Sequence, residues 1–169
     1  MNTLTGSSIG LIHLLSGIIA LILGGLVLIL QKGTPLHRKI GYGYVFSMIV
    51  LIVSSFGIYR LFGKFGLFHF FSLVATFSLL AGMLPMMKKV RTAKDLENHF
   101  TRMFWSVAGL YAAFAAESFV RIPKFGTFWQ MVAWSFVLVF VSCFVVFIKM
   151  RPIWKGKFSK ENRRQNSIF

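Results

Sequence analysis

Five long apolar runs, separated by short polar and basic segments, dominate the pattern of the chain. An apolar run of about 18 residues or more is long enough to cross the hydrocarbon core of a bilayer as an α-helix. The runs cover Ser8 to Leu30, Gly41 to Leu61, Leu67 to Met87, His99 to Val120, and Thr127 to Met150. The pattern therefore predicts an all-α integral membrane protein, a helical bundle with five transmembrane helices.

A pattern of seven residues built around a histidine occurs twice in these runs. The segment GLIHLLS, which contains His13, returns as GLFHFFS, which contains His69. His37 and His99 recur at the starts of the second and fourth helices. We interpret the chain as a tandem two-helix repeat that forms a pseudo-twofold four-helix core plus a fifth helix. The predicted boundaries are about 8–65 for the first repeat, 66–125 for the second and 127–150 for the fifth helix.

Basic residues are distributed unevenly between the two ends of the predicted helices. Lys and Arg number three in residues 31–40, five in residues 88–102 and seven from Lys149 onward, against four on the opposite side. By the positive-inside rule the N-terminus lies outside, and the single transmembrane domain, 1–150, leads into a basic cytoplasmic tail, 151–169. We expect the lipid bilayer of the cytoplasmic membrane, and not nucleic acid, to account for the net charge of +15.

Two threonines have the spacing of helix N-caps. Thr34 precedes Pro35, and proline is favoured at the first position of a helix. Thr92 stands three residues before Asp95, which resembles a capping box with aspartate in place of glutamate. The second and fourth helices are therefore expected to begin before their apolar runs, with His37 and His99 in their first two turns.

The predicted topology places the histidines in two tiers, with His13 and His69 near the outer surface and His37 and His99 near the inner surface. Ionisable side chains within membrane spans usually face the interior of the bundle. Each pair offers two imidazoles without cysteine or enough carboxylates, which is a poor donor set for zinc or calcium. Two imidazoles are sufficient for haem b, so we predict two haem sites. A single histidine at such a position is more often a polar anchor at the interface than a ligand, and the haem hypothesis rests on the two symmetric pairs.

Charged residues near the two tiers complete the candidate site. Haem propionates need nearby cations, and we assign Arg38 and Arg102 to the inner site and Arg60 and Arg121 to the outer site. Glu117 follows His99 by five helical turns, on the same helix face. It is the candidate catalytic residue, a proton acceptor beside the outer site, or alternatively an ion-pair partner of Arg121.

Three segments carry a resemblance to a known family: PLHRKIGY at 35–42, FGLFH at 65–69 and HFTRM at 99–103. They resemble an uncharacterised family of bacterial predicted membrane proteins, a domain of unknown function with four spaced histidines. The resemblance covers about residues 8–122 and implies topology but no activity. A more distant, architectural likeness is to transmembrane dihaem b-type cytochromes, in which alternate helices of a four-helix core supply one histidine pair for each membrane face.

These features favour a membrane electron-transfer protein similar to a b-type dihaem cytochrome, with a quinol or another donor and acceptor as partner. The fifth helix is the predicted surface for a homo-oligomer. Two alternatives remain open: a small proton-coupled transporter that uses the histidines and Glu117, and a noncatalytic membrane scaffold or assembly protein. The sequence contains no nucleophile elbow, phosphate loop or zinc-protease motif, so it assigns no enzyme class.

Overall fold

The computed structural model of the chain describes residues 8–58, 65–120 and 126–166, with side chains as far as Trp154. All regular structure in these residues is helical. The elements are α1 (Ser8–Ile29), α2 (Pro35–Ser55), α3 (Leu67–Met83), a 3-10 turn (Leu84–Met87), α4 (Ala93–Phe119) and α5 (Phe128–Asn166). The predicted all-α fold is confirmed for this part of the chain.

Within the described ranges, four helical segments are long and apolar enough to cross a membrane: α1, α2, α3 with its 3-10 turn, and α5 as far as Trp154. They correspond to the first, second, third and fifth predicted spans. The remaining helix, α4, is less apolar because His99, Arg102 and Glu117 lie within it. Its 27 residues still give a length of about 40 Å at 1.5 Å per residue.

Both predicted N-caps are confirmed. Thr34 Oγ1 accepts a hydrogen bond from the backbone N–H of His37 at 3.1 Å, and Pro35 is the first residue of α2. At α4 the Asp95 N–H donates to Thr92 Oγ1 at 3.2 Å, while the Thr92 N–H donates to Asp95 Oδ2 at 3.0 Å. Each bond satisfies a backbone N–H that has no partner within its own helix.

A contact that the sequence pattern did not predict reinforces the start of α4. Lys88 Nζ donates to Asp95 Oδ1 at 2.6 Å. This hydrogen bond, together with those from Thr92, lowers the pKa of Asp95 to about 2. The carboxylate therefore stays ionised at neutral pH and connects the loop before α4 to the first turn of the helix.

The chain divides into two compact units, Met1–Phe77 and Ser78–Phe169. In the first unit α1 and α2 are antiparallel, because early residues of one helix meet late residues of the other. A Cβ atom at Gly57 would lie 3.2 Å from Ile9 Cγ2, and one at Gly43 would lie 3.1 Å from Leu23 Cδ1. Glycine thus permits the close approach of the two helices, as is common in membrane bundles.

In the second unit α4 and α5 are antiparallel and joined by aromatic contacts. Phe100 stacks on Trp154 with ring centroids 5.1 Å apart, and Trp105 stacks on Phe140 at 5.6 Å. Phe104 contacts Phe147 at 5.2 Å between these two pairs. Such ring pairs stabilise helix packing beyond the area they bury.

Helix α5 continues well past its apolar run, which ends at Met150. Pro152 lies inside the helix. Arg151 Nη2 donates to Glu97 Oε1 at 3.1 Å. One turn further along both helices, the Trp154 ring of α5 stacks on Phe100 of α4. These contacts extend the association of α4 and α5 beyond the apolar segment, which is why hydropathy alone placed the helix end too early.

The buried residues of α1, α2 and α4 recur at intervals of three and four positions, as one face of a helix does. Ser16, Ala20 and Gly24 are buried on α1, and Tyr44 and Met48 are buried on α2. Met103, Ser106 and Leu110 are buried on α4. The pseudo-twofold relation between the two predicted repeats, in contrast, is not confirmed.

Candidate functional site

His13 lies in the second turn of α1 and contacts α2 through its ring. The distance between His13 Nδ1 and Ser54 Oγ is 3.1 Å. The Ser54 hydroxyl also lies 3.0 Å from the carbonyl oxygen of Leu51. Both bonds form together only when the hydroxyl donates to Leu51 and accepts from His13, and in that arrangement the neutral imidazole carries its proton on Nδ1 and the lone pair on Nε2.

A second serine on α2 makes a parallel connection to α3. Ser55 Oγ and Ser72 Oγ are 2.7 Å apart. The adjacent residues Ser54 and Ser55 thus bind two different neighbours, α1 and α3. Hydrogen bonds between membrane helices hold them in register, and these two place a polar layer at the end of the first unit where α1 begins and α2 ends.

His69 makes a different kind of contact. Gly66 directly precedes α3, and its N–H donates to His69 Nδ1 at 3.1 Å. His69 is the third residue of the helix, so its ring accepts a bond from the N-cap residue as the glutamate of a capping box does. Because Nδ1 is the acceptor, the neutral ring carries its proton on Nε2.

The ring of His69 is also enclosed by aromatic side chains. It stacks on Phe65 with a centroid distance of 5.1 Å and contacts Phe56 at 6.0 Å. Only 5% of the residue is exposed. The structure therefore holds His69 in place both through the hydrogen bond from Gly66 and through packing.

The two copies of the seven-residue pattern are therefore not locally equivalent. Gly10 is a buried residue inside α1, whereas Gly66 is the residue before α3. The same pattern thus begins within one helix and at the N-cap of the other. His13 becomes a donor on a helix face, and His69 becomes an acceptor at a helix end.

His37 is the third residue of α2, at the inner end of the first unit under the predicted topology. Its backbone N–H is the group that Thr34 Oγ1 binds. The imidazole is partly buried, and Nδ1 is fully covered. The neighbouring Arg38 is exposed, so its guanidinium is accessible to an anionic group at the membrane surface.

In the second unit His99 Nδ1 lies 2.7 Å from the carbonyl oxygen of Gly82. A carbonyl can only accept, so His99 donates from Nδ1 and carries its lone pair on Nε2, as His13 does. Gly82 is in the last turn of α3, where carbonyl groups have no partner within the helix. Pro85 has no N–H to supply one, so the side chain of His99 caps this end of α3.

The approach between α3 and α4 at this point is close. A Cβ atom at Gly82 would lie 2.7 Å from Met103 Sδ and 3.4 Å from Arg102 Cβ. Ser78 Oγ also donates to the carbonyl oxygen of Arg102 at 3.3 Å. The guanidinium-bearing residue Arg102 is itself exposed. The carbonyl of residue 82 would be available with any side chain, whereas the absence of a Cβ atom at Gly82 leaves the space that the Met103 side chain occupies.

Glu117 lies in the last turn of α4 and is partly buried. The pair that it was predicted to form involves Arg121, which lies outside the described residues, as does Arg60. The assignment of these two arginines to the outer site therefore remains a prediction.

Ser54 and Gly82 are site residues that the sequence did not lead us to predict. The signals available in the sequence were two adjacent serines in an apolar run and a glycine three residues before a proline.

Among the described residues, no three His, Cys, Asp or Glu side chains are grouped in a way that could hold a metal ion. Such a group is what zinc or calcium would need, whereas haem needs one or two axial ligands. A ligating histidine ordinarily donates its other ring N–H to an oxygen acceptor. His13 and His99 have this arrangement, so the donor chemistry of these two residues fits haem iron.

A family model described as predicted membrane protein (DUF2306) matches residues 10–154. The match includes all four histidines and both hydrogen-bond acceptors, Ser54 and Gly82. No curated protein and no solved structure matches the chain. The chain therefore belongs to this family of membrane proteins of unknown function.

Proposed function

We propose that the protein is an electron-transfer protein of the cytoplasmic membrane that binds haem b, with His13 as an axial ligand in the first unit and His99 as one in the second. The observation that carries the proposal is the hydrogen bond from Nδ1–H of each ring to an oxygen acceptor. Such a bond fixes the tautomer and makes Nε2 more basic. Both rings are thus prepared to bind iron through Nε2.

Haem when bound would supply one-electron chemistry, and the residues of the chain would tune and hold it. Ser54 fixes the His13 ring and Gly82 fixes the His99 ring, so neither ligand has to be ordered when haem enters. The exposed Arg102 supplies a cation for a propionate group in the second unit, and the assignment of Arg38 to the inner site stays a prediction from the sequence. Glu117 is partly buried on α4. As in the prediction from the sequence, it is the group that takes up a proton when electron transfer changes the charge of the site.

The proposed topology has five crossings, with the N-terminus outside and the C-terminus in the cytoplasm. In the second unit, the proposal that α4 crosses the membrane is supported by its antiparallel packing along α5. Helix α5 is apolar enough to span the membrane by itself. The exposed basic residues Lys88, Lys89 and Arg91 before α4 are typical of a cytoplasmic loop. If α4 crosses together with α5, the loop before α4 and the end of α5 lie on the same side.

We test this with single cysteines. In a Cys143→Ser background, Val90→Cys and Gly156→Cys place thiols at two exposed positions. We expect both to resist a membrane-impermeant maleimide in intact cells and to react after permeabilisation. Labelling of one thiol but not the other in intact cells would show that α4 does not cross, and labelling of both would reverse the orientation.

The haem proposal is tested by the visible spectrum of the protein purified in detergent after expression with a haem precursor. We expect a Soret band, and sharp α and β bands after reduction with dithionite. A protein that is colourless under these conditions would leave the transporter and scaffold alternatives. A transporter would then be separated from a scaffold by proton uptake into proteoliposomes under an imposed pH gradient, with Glu117→Gln as the control.

A further inference from the structure

We infer that His69 is the N-terminal cap of α3 and not an iron ligand, so that of the predicted outer pair only His13 would hold haem. This inference rests on the proposed function and refines it, because it gives the two histidines of the pair different roles.

The hydrogen bond from Gly66 carries the argument. Its N–H donates to His69 Nδ1 at 3.1 Å, which leaves the proton of the neutral ring on Nε2. A protonated Nε2 cannot donate an electron pair to iron. Ligation through Nε2 would require the proton to move to Nδ1, and a protonated Nδ1 would then face the Gly66 N–H, donor against donor.

The surroundings of the ring oppose a rearrangement. Rotation away from Gly66 would break its contacts with Phe65 at 5.1 Å and Phe56 at 6.0 Å. It would also leave an N–H at the start of α3 without its side-chain acceptor, at a position where the first N–H groups of a helix have no intrahelical partner. His13 meets neither obstacle, because its Nδ1 already donates to Ser54.

The chain itself shows which residue can replace a histidine in this capping role. At the start of α5 the Thr127 N–H donates to Gln130 Oε1 at 3.0 Å. Glutamine at the third helical position therefore accepts the same bond that His69 accepts in α3. Glutamine cannot serve as an axial imidazole, so His69→Gln separates capping from ligation.

The experiment compares the wild type, His69→Gln, His69→Ala and His13→Ala by haem-to-protein ratio and thermal midpoint in detergent. We expect His69→Gln to retain the wild-type haem ratio and midpoint, and His69→Ala to retain the haem ratio with a midpoint lowered by a few degrees through loss of the cap. His13→Ala, in contrast, should lose one haem.

The contrary results are distinct from one another. Loss of one haem in His69→Gln, with an unchanged midpoint, would make His69 a ligand and overturn the inference while leaving the proposed function intact. A midpoint in His69→Gln as low as that of His69→Ala would overturn the capping role. A wild-type protein without haem would overturn the proposed function, while the midpoints of the His69 variants would still test the capping role.

Discussion

The variant His99→Ala is expected to bind about one haem per chain where the wild type binds two. His99 is the ligand that we propose for the second unit, and no iron-ligand bond remains at this position when the ring is removed. The measurement is the haem-to-protein ratio from the reduced pyridine adduct. The haem that remains should be the one lost in His13→Ala, so the double variant should be colourless.

The control for this prediction is His99→Asn. The amide nitrogen of asparagine lies close to the position of Nδ1 in histidine and can donate to the Gly82 carbonyl, but asparagine cannot serve as the axial imidazole. We expect it to lose the same haem as His99→Ala and to accumulate better in the membrane, because the C-terminal cap of α3 is kept. Two haems per chain in both variants would exclude His99 as a ligand.

The second large effect is expected for Gly82→Val. Even one added Cβ atom would lie 2.7 Å from Met103 Sδ, and the branched side chain of valine requires more room than that. Forcing extra carbon atoms into a well-packed contact costs about 1–3 kcal/mol. We expect a markedly lower thermal midpoint and loss of the haem that depends on His99, whose hydrogen bond to Gly82 the displacement disturbs.

The companion variants Met103→Ala and Gly82→Val/Met103→Ala decide whether the clash is the cause. Removing the methionine thioether clears the space that valine needs, so the double variant should recover part of the midpoint lost in Gly82→Val. Strictly additive effects of the two substitutions would mean that they act independently. In that case Gly82 would matter only through its backbone.

Helix positions were largely predictable because the bilayer imposes a simple requirement on the sequence. Backbone groups in hydrocarbon must be bonded within their own segment, so an apolar run of sufficient length becomes a helix. The starts of α2 and α4 were equally predictable, since Thr34 and Thr92 act on residues only three positions away. The end of α5 was not, because the helix continues beyond Met150, where contacts of Arg151 and Trp154 with α4 form between residues far apart in sequence.

The roles of the histidines were less predictable. The sequence pairs His13 with His69 because the residues around them recur, but a hydrogen-bonding role depends on the position of a residue in its helix and on its neighbours in space. Ser54 makes His13 a donor, and Gly66 makes His69 an acceptor. The predicted inner pair, His37 and His99, falls in different compact units, so its pairing stays a prediction.

The sequence by itself determined that this is an all-helical membrane protein, where most of its helices lie and that it belongs to the family whose model it matches. These properties depend on hydropathy and on spacings of a few residues, which can be read along the chain. Only the tertiary structure decided which groups the Nδ1 atoms of His13, His69 and His99 contact. Those groups lie on another helix or at a helix end, and the geometry of the packed helices, not the order of residues, brings them to the rings.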